Sequence, residues 1–349
     1  MTIRVGFLGT GFIARTHRWF LEHASVDHRI VAVHDPDTER ARTFADRVGA
    51  DAVAEEALLD VVDAVFVTTW TSEHERLVAA AAERGAAVFC EKPLALDTAS
   101  AQRMVDAVEA SGAVDQVGLI LRFIPQFLLA RRLVRDPRAG RVLAVSFRDD
   151  QFIPIQGHYG SDWRVDPARC GRGTLLEHSI HDVDVLQWLC GPVHSVTGAL
   201  REVHGHRGID DVAVARIEFD SGALASLTSI WHDIVDRPSQ RHVEVFCDDL
   251  YVRMDGEPHG SITWQYTGEP QQELTGADVA HDCIEHADAS AADLVAVPGG
   301  AMFNPVNAFL GAIVTGGPAP LPLRAALPAH RIVDAIYASA DRSGAVVRL

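Results

Sequence analysis

The chain has 349 residues, of which 48% are hydrophobic and 23% charged, a balance that predicts a soluble globular protein of about two domains. Its formal net charge of -17 at pH 7 argues against a nucleic-acid-binding surface and against binding to anionic membranes. No apolar run reaches membrane-spanning length, and the start of the chain is not typical of a signal peptide. The five cysteines form no C-x-x-C pair, so a reducing cytoplasm is the expected location.

Residues 3–120 alternate between short apolar runs and helical patterns. Strands are predicted at 4–8, 30–33, 64–67 and 87–90, helices at 13–22, 37–48, 73–84 and 98–111, and an apolar run follows at 117–120. Buried four-residue runs separated by helices are typical of parallel βαβ units with right-handed crossovers. The sequence therefore predicts an α/β fold whose first domain, residues 1–120, contains a doubly wound parallel sheet.

The pattern changes after about residue 120. Strands are predicted at 142–147, from Val193 onwards, and at 213–219, 224–230, 241–247, 250–254 and 261–266, with helices at roughly 175–190, 304–315 and 325–341. These segments predict a second α/β domain, residues 121–349, with a large, mostly antiparallel open sheet. Such a sheet can leave one apolar face exposed, and self-association would cover it.

A glycine-rich turn, Gly9 to Ala14, matches the pattern G-x-G-x-x-A and lies between the first predicted strand and helix. Gly9 permits the tight turn, and Gly11 lets the backbone approach a pyrophosphate. The amides of Phe12 and Ile13 would then point at the phosphates from the helix N-terminus. We interpret the segment as a dinucleotide-binding turn; a glycine turn without a ligand is the alternative.

Asp35 ends the second predicted strand, about twenty residues beyond the glycine motif, where a carboxylate accepts the ribose hydroxyls and repels a 2′-phosphate. This position favours NAD, whereas Arg40, one helical turn further on, keeps NADP open as a second cofactor. Asp35 also suits a turn that leads into a helix N-cap at Asp37, and both interpretations are compatible.

Three residues after the third predicted strand are expected to line the cofactor crevice: Thr69, Trp70 and His74. Trp70 is either a wall of the nicotinamide or substrate pocket or a packing aromatic. His74 is expected to position the loop or the start of the helix rather than to take part in the chemistry.

Glu91-Lys92-Pro93 follows the short apolar strand at 87–90. A lysine at the carboxyl end of a buried strand lies at the crevice where open α/β sheets bind ligands. Proline ends the strand and stiffens the backbone that carries the lysine. A solvated lysine at a strand end is the alternative.

The segment Gly171 through Asp184 is the second candidate for chemistry. On the helix predicted at roughly 175–190, Glu177 and His181 are four residues apart and share one face. A histidine near a carboxylate and a lysine is a candidate proton shuttle. In this interpretation His181 accepts the proton of a substrate hydroxyl, while Lys92 hydrogen-bonds the reacting oxygen and stabilises its developing charge. Glu177 would orient His181 or bind a neighbouring substrate hydroxyl.

Two other interpretations of this helix stay open. Five of its side chains are of metal-ligating types: Glu177, His178, His181, Asp182 and Asp184. His178 and His181 are three residues apart instead of the i, i+4 pair of a zincin helix, so we do not expect a metal. A core helix with satisfied polar side chains is the remaining alternative.

The order of these motifs resembles the Gfo/Idh/MocA family, named after glucose–fructose oxidoreductase, inositol dehydrogenase and MocA. The resemblance covers essentially the whole chain, and its matching segments are Gly9 to Ala14, Asp35, Glu91-Lys92-Pro93, Asp162-Trp163-Arg164 and Gly171 through Asp184. It implies a Rossmann domain, NAD(P), a sugar, polyol or cyclitol substrate, and homodimers or homotetramers formed through the C-terminal sheet.

Residue by residue, the resemblance matches Lys92 to the family's active-site lysine and His181 to its catalytic histidine. Glu177 stands where many dehydrogenases of the family carry Asp, which keeps the charge but lengthens the side chain. Trp70 is a second departure, since Pro commonly follows the Thr, and it is expected to reshape the nicotinamide pocket.

The remaining matches concern binding. Arg122, Trp163 and Arg164 correspond to positions near the substrate, although Arg122 also suits a structural role beside Phe123. Arg164 and Glu91 complete the predicted contacts to the cofactor, and no metal is predicted.

The leading functional hypothesis is an NAD(P)-dependent oxidoreductase that transfers a hydride between nicotinamide and a secondary alcohol of a sugar, cyclitol or sugar-bearing compound. One alternative is an NAD-dependent glycosidase that oxidises its substrate transiently and eliminates the aglycone. Another is a non-catalytic sugar sensor or regulator, against which the presence of Lys92 and His181 argues.

Overall fold

The computed structural model describes residues 2–256, 260–297 and 300–349. Its strands are β1 (Ile3–Leu8), β2 (His28–His34), β3 (Asp51–Ala52), β4 (Ala64–Val67), β5 (Ala87–Cys90), β6 (Asp115–Val117), β7 (Val142–Phe152), β8 (Val193–Arg201), β9 (Val212–Phe219), β10 (Leu224–His232), β11 (Gln240–Cys247), β12 (Leu250–Asp255), β13 (Ser261–Tyr266), β14 (Gln272–Thr275), β15 (Leu294–Val297), β16 (Gly300–Phe303) and β17 (Val347–Arg348). Its α-helices are α1 (Phe12–Glu22), α2 (Thr38–Val48), α3 (Glu55–Leu59), α4 (His74–Glu83), α5 (Thr98–Ser111), α6 (Pro125–Arg135), α7 (Pro167–Cys170), α8 (Thr174–Glu177), α9 (Ile180–Cys190), α10 (Ala277–Glu285), α11 (Pro305–Thr315) and α12 (Leu327–Ala340).

The first compact unit contains a six-stranded parallel sheet in the order β3-β2-β1-β4-β5-β6. All four residues of β4 and of β5 are buried, as expected for parallel strands covered on both faces. The strand order reverses between β1 and β4, which is the switch point where doubly wound sheets bind their ligands. The predicted Rossmann sheet is therefore confirmed.

The first unit also contains a C-terminal segment, Asn304–Leu327. The Phe309 ring of α11 contacts Phe66 and Phe89 edge-on, with centroid distances of 5.9 and 5.6 Å. The Asn304 side-chain amide donates to the carbonyl of Phe20 at 2.8 Å. The structure thus differs from the two contiguous domains expected from the sequence, because the apolar pattern of a helix does not reveal which sheet it covers.

The second compact unit contains Ile120–Phe303 and Pro328–Leu349. Its nine-stranded sheet has the order β14-β13-β12-β11-β7-β10-β9-β8-β17, in which only β7 and β10 pair in parallel among the described strands. The large, mostly antiparallel sheet predicted from the sequence is confirmed. A two-stranded ribbon, β15-β16, was not predicted.

The two faces of the nine-stranded sheet differ. One face is buried under helices that include α6 and α9, and its core positions alternate along each strand, as in β10. The opposite face carries a row of apolar side chains across four neighbouring strands: Leu224, Ala144, Phe246 and Tyr251. Leu224 and Phe246 are each 43% exposed in the single chain.

No helix within the described ranges is long and apolar enough to cross a membrane. All five cysteines are free and buried.

Candidate active site

The glycine turn after β1 has the geometry of a phosphate-binding turn. Gly9 has φ +90°, and a Cβ there would lie 2.7 Å from the Thr68 carbonyl oxygen, so only glycine fits. A Cβ at Gly11 would meet no described atom within 4 Å, which leaves open space beside the turn. Gly11 is also the N-cap of α1 and provides no side-chain cap for the first amides of that helix. The open space and the uncapped amides fit a pyrophosphate, and the contact itself stays a prediction.

Asp35 lies at the end of β2 and is buried. Its Oδ2 accepts from the Thr10 amide at 2.8 Å and from the Thr10 hydroxyl at 3.0 Å, while Oδ1 accepts from the Asp37 amide at 2.9 Å. The Arg40 guanidinium lies 3.5 Å from Oδ1 and is half exposed. Asp35 therefore links the glycine turn to the start of α2. This is the role in a turn that the sequence left open as one of two compatible interpretations. Its contact with a ribose stays a prediction.

The loop after β4 is fixed by a buried histidine. His74 Nδ1 lies 3.0 Å from the Pro93 carbonyl oxygen, and Nε2 lies 3.4 Å from that of Thr69. The ring thus ties the loop that carries Thr69 and Trp70, both partly buried, to the segment after β5. This arrangement gives His74 the positioning role expected from the sequence, and a direct contact with the cofactor stays a prediction.

A buried acid–base pair lies beneath Lys92. Glu91 Oε1 is 2.6 Å from His17 Nε2, and Oε2 accepts from the Lys92 amide at 3.2 Å. Burial alone would raise the pKa of Glu91, but the His17 hydrogen bond and the charges of His17 and Lys92 hold it below its ordinary value of 4.5. A Cβ at Gly118 would lie 2.7 Å from Oε1, so Gly118 makes room for this carboxylate. Glu91 therefore anchors the backbone of Lys92, and its predicted cofactor contact stays a prediction.

Lys92 itself is partly buried at the carboxyl end of β5 and precedes Pro93 through a cis peptide bond. Of the 31 lysine and arginine residues of the chain, only Lys92 is a lysine. Lysine differs from arginine in having a compact ammonium group whose pKa can shift into the range of proton transfer. The single lysine thus stands at the position where the sequence predicts chemistry.

The helix predicted at 175–190 is interrupted. α8 ends at Glu177, α9 begins at Ile180, and His178 and Ser179 lie in the break. The sequence predicted that Glu177 and His181 lie one turn apart on one continuous helix. This prediction is wrong, because the two residues lie on either side of the break. At the break, the Ser179 hydroxyl donates to Ser229 Oγ of β10 at 2.6 Å and so ties this segment to the sheet.

Glu177 and His181 are both buried, with exposed fractions of 2% and 6%. Arg164 Nε lies 3.4 Å from Glu177 Oε2, and the Arg164 guanidinium stacks over the Trp163 ring at 4.9 Å. The structure thus brings three of the predicted site residues together as one linked group. A carboxylate of this kind, fixed by an arginine, has a defined direction for binding a hydroxyl or a histidine.

The acidic and histidine side chains around the break are committed to arginines and to each other. His178 Nε2 lies 2.7 Å from Asp149 Oδ2, and Arg241 Nε donates to Asp182 Oδ1 at 2.7 Å. Burial raises the pKa of Asp182 to about 7, against the opposing effect of Arg241. Among the described residues, no group of three or more histidine, cysteine or carboxylate side chains could hold a metal ion.

Arg122 has a structural partner. Its guanidinium forms a bidentate pair with Asp184, at 2.7 and 2.6 Å, and lies 5.3 Å from the Trp188 ring. Of the two roles that the sequence left open for Arg122, the geometry favours the structural one over substrate contact. A bidentate pair uses the directional donors of the guanidinium.

Several residues that shape the site were missed from the sequence: His17, Asp149, Asp210, Ser229 and Arg241. A buried polar side chain is invisible to a pattern of apolar periodicity, and its partner lies far away in the chain. His17 offered one signal, since it occupies the apolar face of α1 between Ala14 and Phe20. The other four residues occupy strands or loops, where the sequence contains no comparable signal.

Two family models match the chain. Residues 3–119 match the model described as an oxidoreductase family with an NAD-binding Rossmann fold, and residues 127–253 match the GFO/IDH/MocA C-terminal domain.

Curated relatives include inositol dehydrogenases. The chain is 30% identical to an inositol 2-dehydrogenase of Acidiphilium cryptum (strain JF-5) over 64% of this chain and 65% of that enzyme. It is 32% identical to the scyllo-inositol 2-dehydrogenase (NAD(+)) of Bacillus subtilis (strain 168) over 66% of this chain and 70% of that enzyme. It is 36% identical to inositol 2-dehydrogenase 3 of Saccharopolyspora erythraea, but over only 54% of each chain. The matched part thus spans between 54% and 70% of these enzymes.

Solved structures share the fold. A levoglucosan dehydrogenase in complex with NADH has a TM-score of 0.87 at 21% identity, covering 100% of this chain and 99% of that one. The WlbA dehydrogenase of Bordetella pertussis, in complex with NADH and UDP-GlcNAcA, has a TM-score of 0.84 at 22% identity, covering 100% and 98%. The chain belongs to the Gfo/Idh/MocA family of oxidoreductases.

Proposed function

We propose that this protein is an NAD-dependent dehydrogenase that oxidises a secondary alcohol of a cyclitol or sugar. The observation that carries the proposal is Lys92, the only lysine of the chain, held at the carboxyl end of β5 by the buried pair Glu91–His17. A lysine that occurs only at the carboxyl end of a strand of the proposed cofactor-binding sheet supports a chemical role, because arginine could provide any purely structural charge.

The proposed reaction needs a base, an electrostatic partner for the reacting oxygen, and a hydride acceptor. Bound nicotinamide supplies the hydride acceptor. His181 takes the hydroxyl proton, and Lys92 hydrogen-bonds the same oxygen and stabilises the developing negative charge. Glu177, fixed by Arg164, orients His181 or a neighbouring hydroxyl of the substrate.

NAD is the proposed cofactor. The open space at Gly11 would accept the pyrophosphate, and the carboxylate of Asp35 disfavours a 2′-phosphate at the end of β2. The family model for residues 3–119, which describes an NAD-binding fold, supports the same choice. Arg40 beside Asp35 is the group through which NADP could still be used.

A cyclitol or sugar is the proposed substrate class, because relatives that are 30% and 32% identical to this chain over the aligned part are inositol dehydrogenases. We further propose a homodimer or homotetramer formed through the open face of the nine-stranded sheet. The five free, buried thiols support a reducing compartment such as the cytoplasm.

A substrate screen tests the proposal. NADH formation, followed at 340 nm, is measured with inositol isomers, aldoses, polyols and aryl glycosides. We expect turnover with at least one free cyclitol or sugar. Release of the aglycone without net NADH would replace the proposal with the glycosidase mechanism, and binding without any turnover would replace it with a sensor.

Variants of Lys92 then separate its roles. Lys92→Met should lower kcat by on the order of 10²-fold or more, because one transition-state donor is lost. Lys92→Arg keeps the charge and should restore part of kcat if Lys92 acts electrostatically. Arg42→Met, which removes an exposed cation from α2, is the matched control and should leave kcat unchanged. Wild-type kcat in Lys92→Met would rule the mechanism out.

The single lysine also allows direct observation. Reductive ¹³C-methylation labels Lys92 and the terminal amine only, so the titration of the Lys92 signal can be followed without mutagenesis. We expect NAD to protect Lys92 from modification and to shift its signal.

A further inference from the structure

The buried face of the nine-stranded sheet contains a short row of polar residues directly beneath the break between α8 and α9. Ser229 of β10 pairs in register with Asp149 of β7, and Asp149 pairs with Arg241 of β11. All three side chains are buried. We name Ser229, Asp149 and Arg241 the polar row. On one side of the row the neighbouring positions of the same face are the apolar core residues Leu227, Phe147 and Val243. On the other side Trp231 and the buried Gln151 follow.

Ser229 contacts the start of α8 and the break that follows it. Its Oγ lies 2.7 Å from the hydroxyl of Thr174, the first residue of α8, and accepts from the Ser179 hydroxyl at 2.6 Å. Thr174 and Ser179 are themselves buried. One hydroxyl group thus fixes the start of α8 and the residue at which the helix is interrupted, on either side of Glu177.

Asp149 and Arg241 hold the other side of the break. Asp149 Oδ2 contacts His178 Nε2 at 2.7 Å and Arg241 at 3.1 Å. Arg241 Nε donates to Asp182 Oδ1 at 2.7 Å, in the first turn of α9. The residues before and after His181 in the chain are therefore tied to adjacent strands.

We propose that the polar row is a positioning element that sets the directions of Glu177 and His181. This inference rests on the function proposed above. Buried polar groups are costly unless fully paired, and an apolar row would hold a plain helix against the sheet equally well. What directional hydrogen bonds add is one defined geometry for the interrupted segment, and a misplacement of about 1 Å at a reacting group can cost 10²-fold in rate.

The variants Ser229→Ala and Asp149→Asn test the proposal. Ser229→Ala removes both hydroxyl contacts without leaving a charge unpaired, and Asp149→Asn keeps the shape but weakens the contact to His178. We expect kcat to fall roughly 10-fold or more in each. The Kd for NADH, measured by fluorescence, should stay within about twofold, because residues 3–119 are unchanged, and KM should change less than kcat.

Ser339→Ala is the matched control. Ser339 is a buried serine of α12 that also makes two hydrogen bonds, accepting from the Gly198 amide at 3.0 Å and donating to the Ala345 carbonyl at 2.6 Å. Neither bond involves α8 or α9. Ser339→Ala should lower Tm about as much as Ser229→Ala while it leaves kcat unchanged.

Hydrogen–deuterium exchange separates this inference from the proposed function. In Ser229→Ala, amides of residues 174–183 should exchange faster than in Ser339→Ala, whether or not a substrate has been found. Absence of turnover in the wild type would refute the proposed function alone. Wild-type kcat and exchange in Ser229→Ala would overturn the inference, as would an equal loss of kcat in Ser339→Ala. Failure of both row variants to fold would make the row a folding determinant and would overturn it too.

Discussion

Two glycines of the same turn, Gly9 and Gly11, differ in whether the fold could accept a side chain at their position. Gly9 needs its φ of +90° and has the Thr68 carbonyl 2.7 Å from where a Cβ would lie, whereas Gly11 has an ordinary backbone conformation and open space beside it. Gly9 is therefore required by the fold. Gly11 is free of that requirement, so its role should lie in binding.

Gly11→Ala should consequently leave Tm within about 1–2 °C of the wild type and weaken NADH binding at least 10-fold, because the methyl group would occupy the approach of the pyrophosphate. Differential scanning fluorimetry and fluorescence titration measure the two effects. Gly9→Ala is the comparison and should lower Tm markedly. Unchanged NADH affinity in Gly11→Ala would contradict the proposed cofactor site.

Glu91 gives a second prediction at this scale, through its pKa. The folded-state pKa lies below 4.5, so the ionised form stabilises the fold; this contribution is complete above the unfolded pKa and is lost as the pH falls through the folded one. Glu91→Gln should lower the free energy of unfolding by about 2 kcal/mol near neutral pH. The difference in the free energy of unfolding between Glu91→Gln and the wild type should become smaller below about pH 4.5.

Urea titrations between pH 3.5 and 7 measure this difference. Glu83→Gln, an exposed carboxylate at the end of α4, is the control and should show no comparable narrowing. If the difference in the free energy of unfolding between the wild type and Glu91→Gln did not depend on pH, packing and not the charge of Glu91 would hold the Lys92 segment.

At the level of elements, the start of α8 depends on close backbone contact. A Cβ at Gly173 would lie 2.0 Å from the carbonyl oxygen of Asp210 and 2.4 Å from its amide nitrogen. The Asp210 carboxylate, in turn, accepts from the Gly173 and Leu175 amides and from the Tyr337 hydroxyl at 2.8, 3.0 and 2.9 Å. The first turn of α8 is thus held against the segment before β9.

Gly173→Ala should therefore destabilise the protein by about 3 kcal/mol or more, because the obstacle is backbone and cannot rotate away. Gly311→Ala is the matched control in the interior of α11, where a Cβ meets no described atom within 4 Å. It should stabilise the protein by about 0.5–1 kcal/mol. Chemical denaturation measures the free energy of unfolding of both variants. Equal changes in Gly173→Ala and Gly311→Ala would contradict the close contact of Gly173 with Asp210.

At the level of the whole molecule, the open face of the nine-stranded sheet is the region to examine for self-association. Leu224, Ala144, Phe246 and Tyr251 form a continuous apolar row in register, and the Phe246 and Tyr251 rings are 5.0 Å apart. Exposed apolar rows of this kind are typical of interfaces.

Phe246→Asp should convert the proposed oligomer into smaller species in light-scattering chromatography, because two copies of the charge would be buried near the axis of a symmetric contact. Val314→Asp, at a more exposed apolar position near the end of α11, should leave the mass unchanged. A wild-type mass equal to one chain would show that the open face has another use.

Local sequence determined most of the secondary structure. The helix predicted at 98–111 has the observed bounds of α5, and the strands at 64–67 and 87–90 are β4 and β5. These predictions succeed because apolar periodicity and capping are properties of neighbouring residues. The short β3 and α3 were missed, because two exposed strand residues and a five-residue helix have too little periodicity to be recognised.

The sequence by itself also indicated the candidates for chemistry. The glycine turn, Asp35, Lys92, Glu177 and His181 can be recognised because each lies in a short local pattern, either at the end of an apolar run or within one short segment. Only the tertiary structure decided how they are held. At the break between Glu177 and His181, Ser179 is hydrogen-bonded to Ser229 of β10. The Glu91 carboxylate beneath Lys92 contacts His17, and α11 packs against the first sheet through Phe309. Each of these contacts joins residues far apart in the chain, and such pairings arise from burial in three dimensions, which no local pattern encodes.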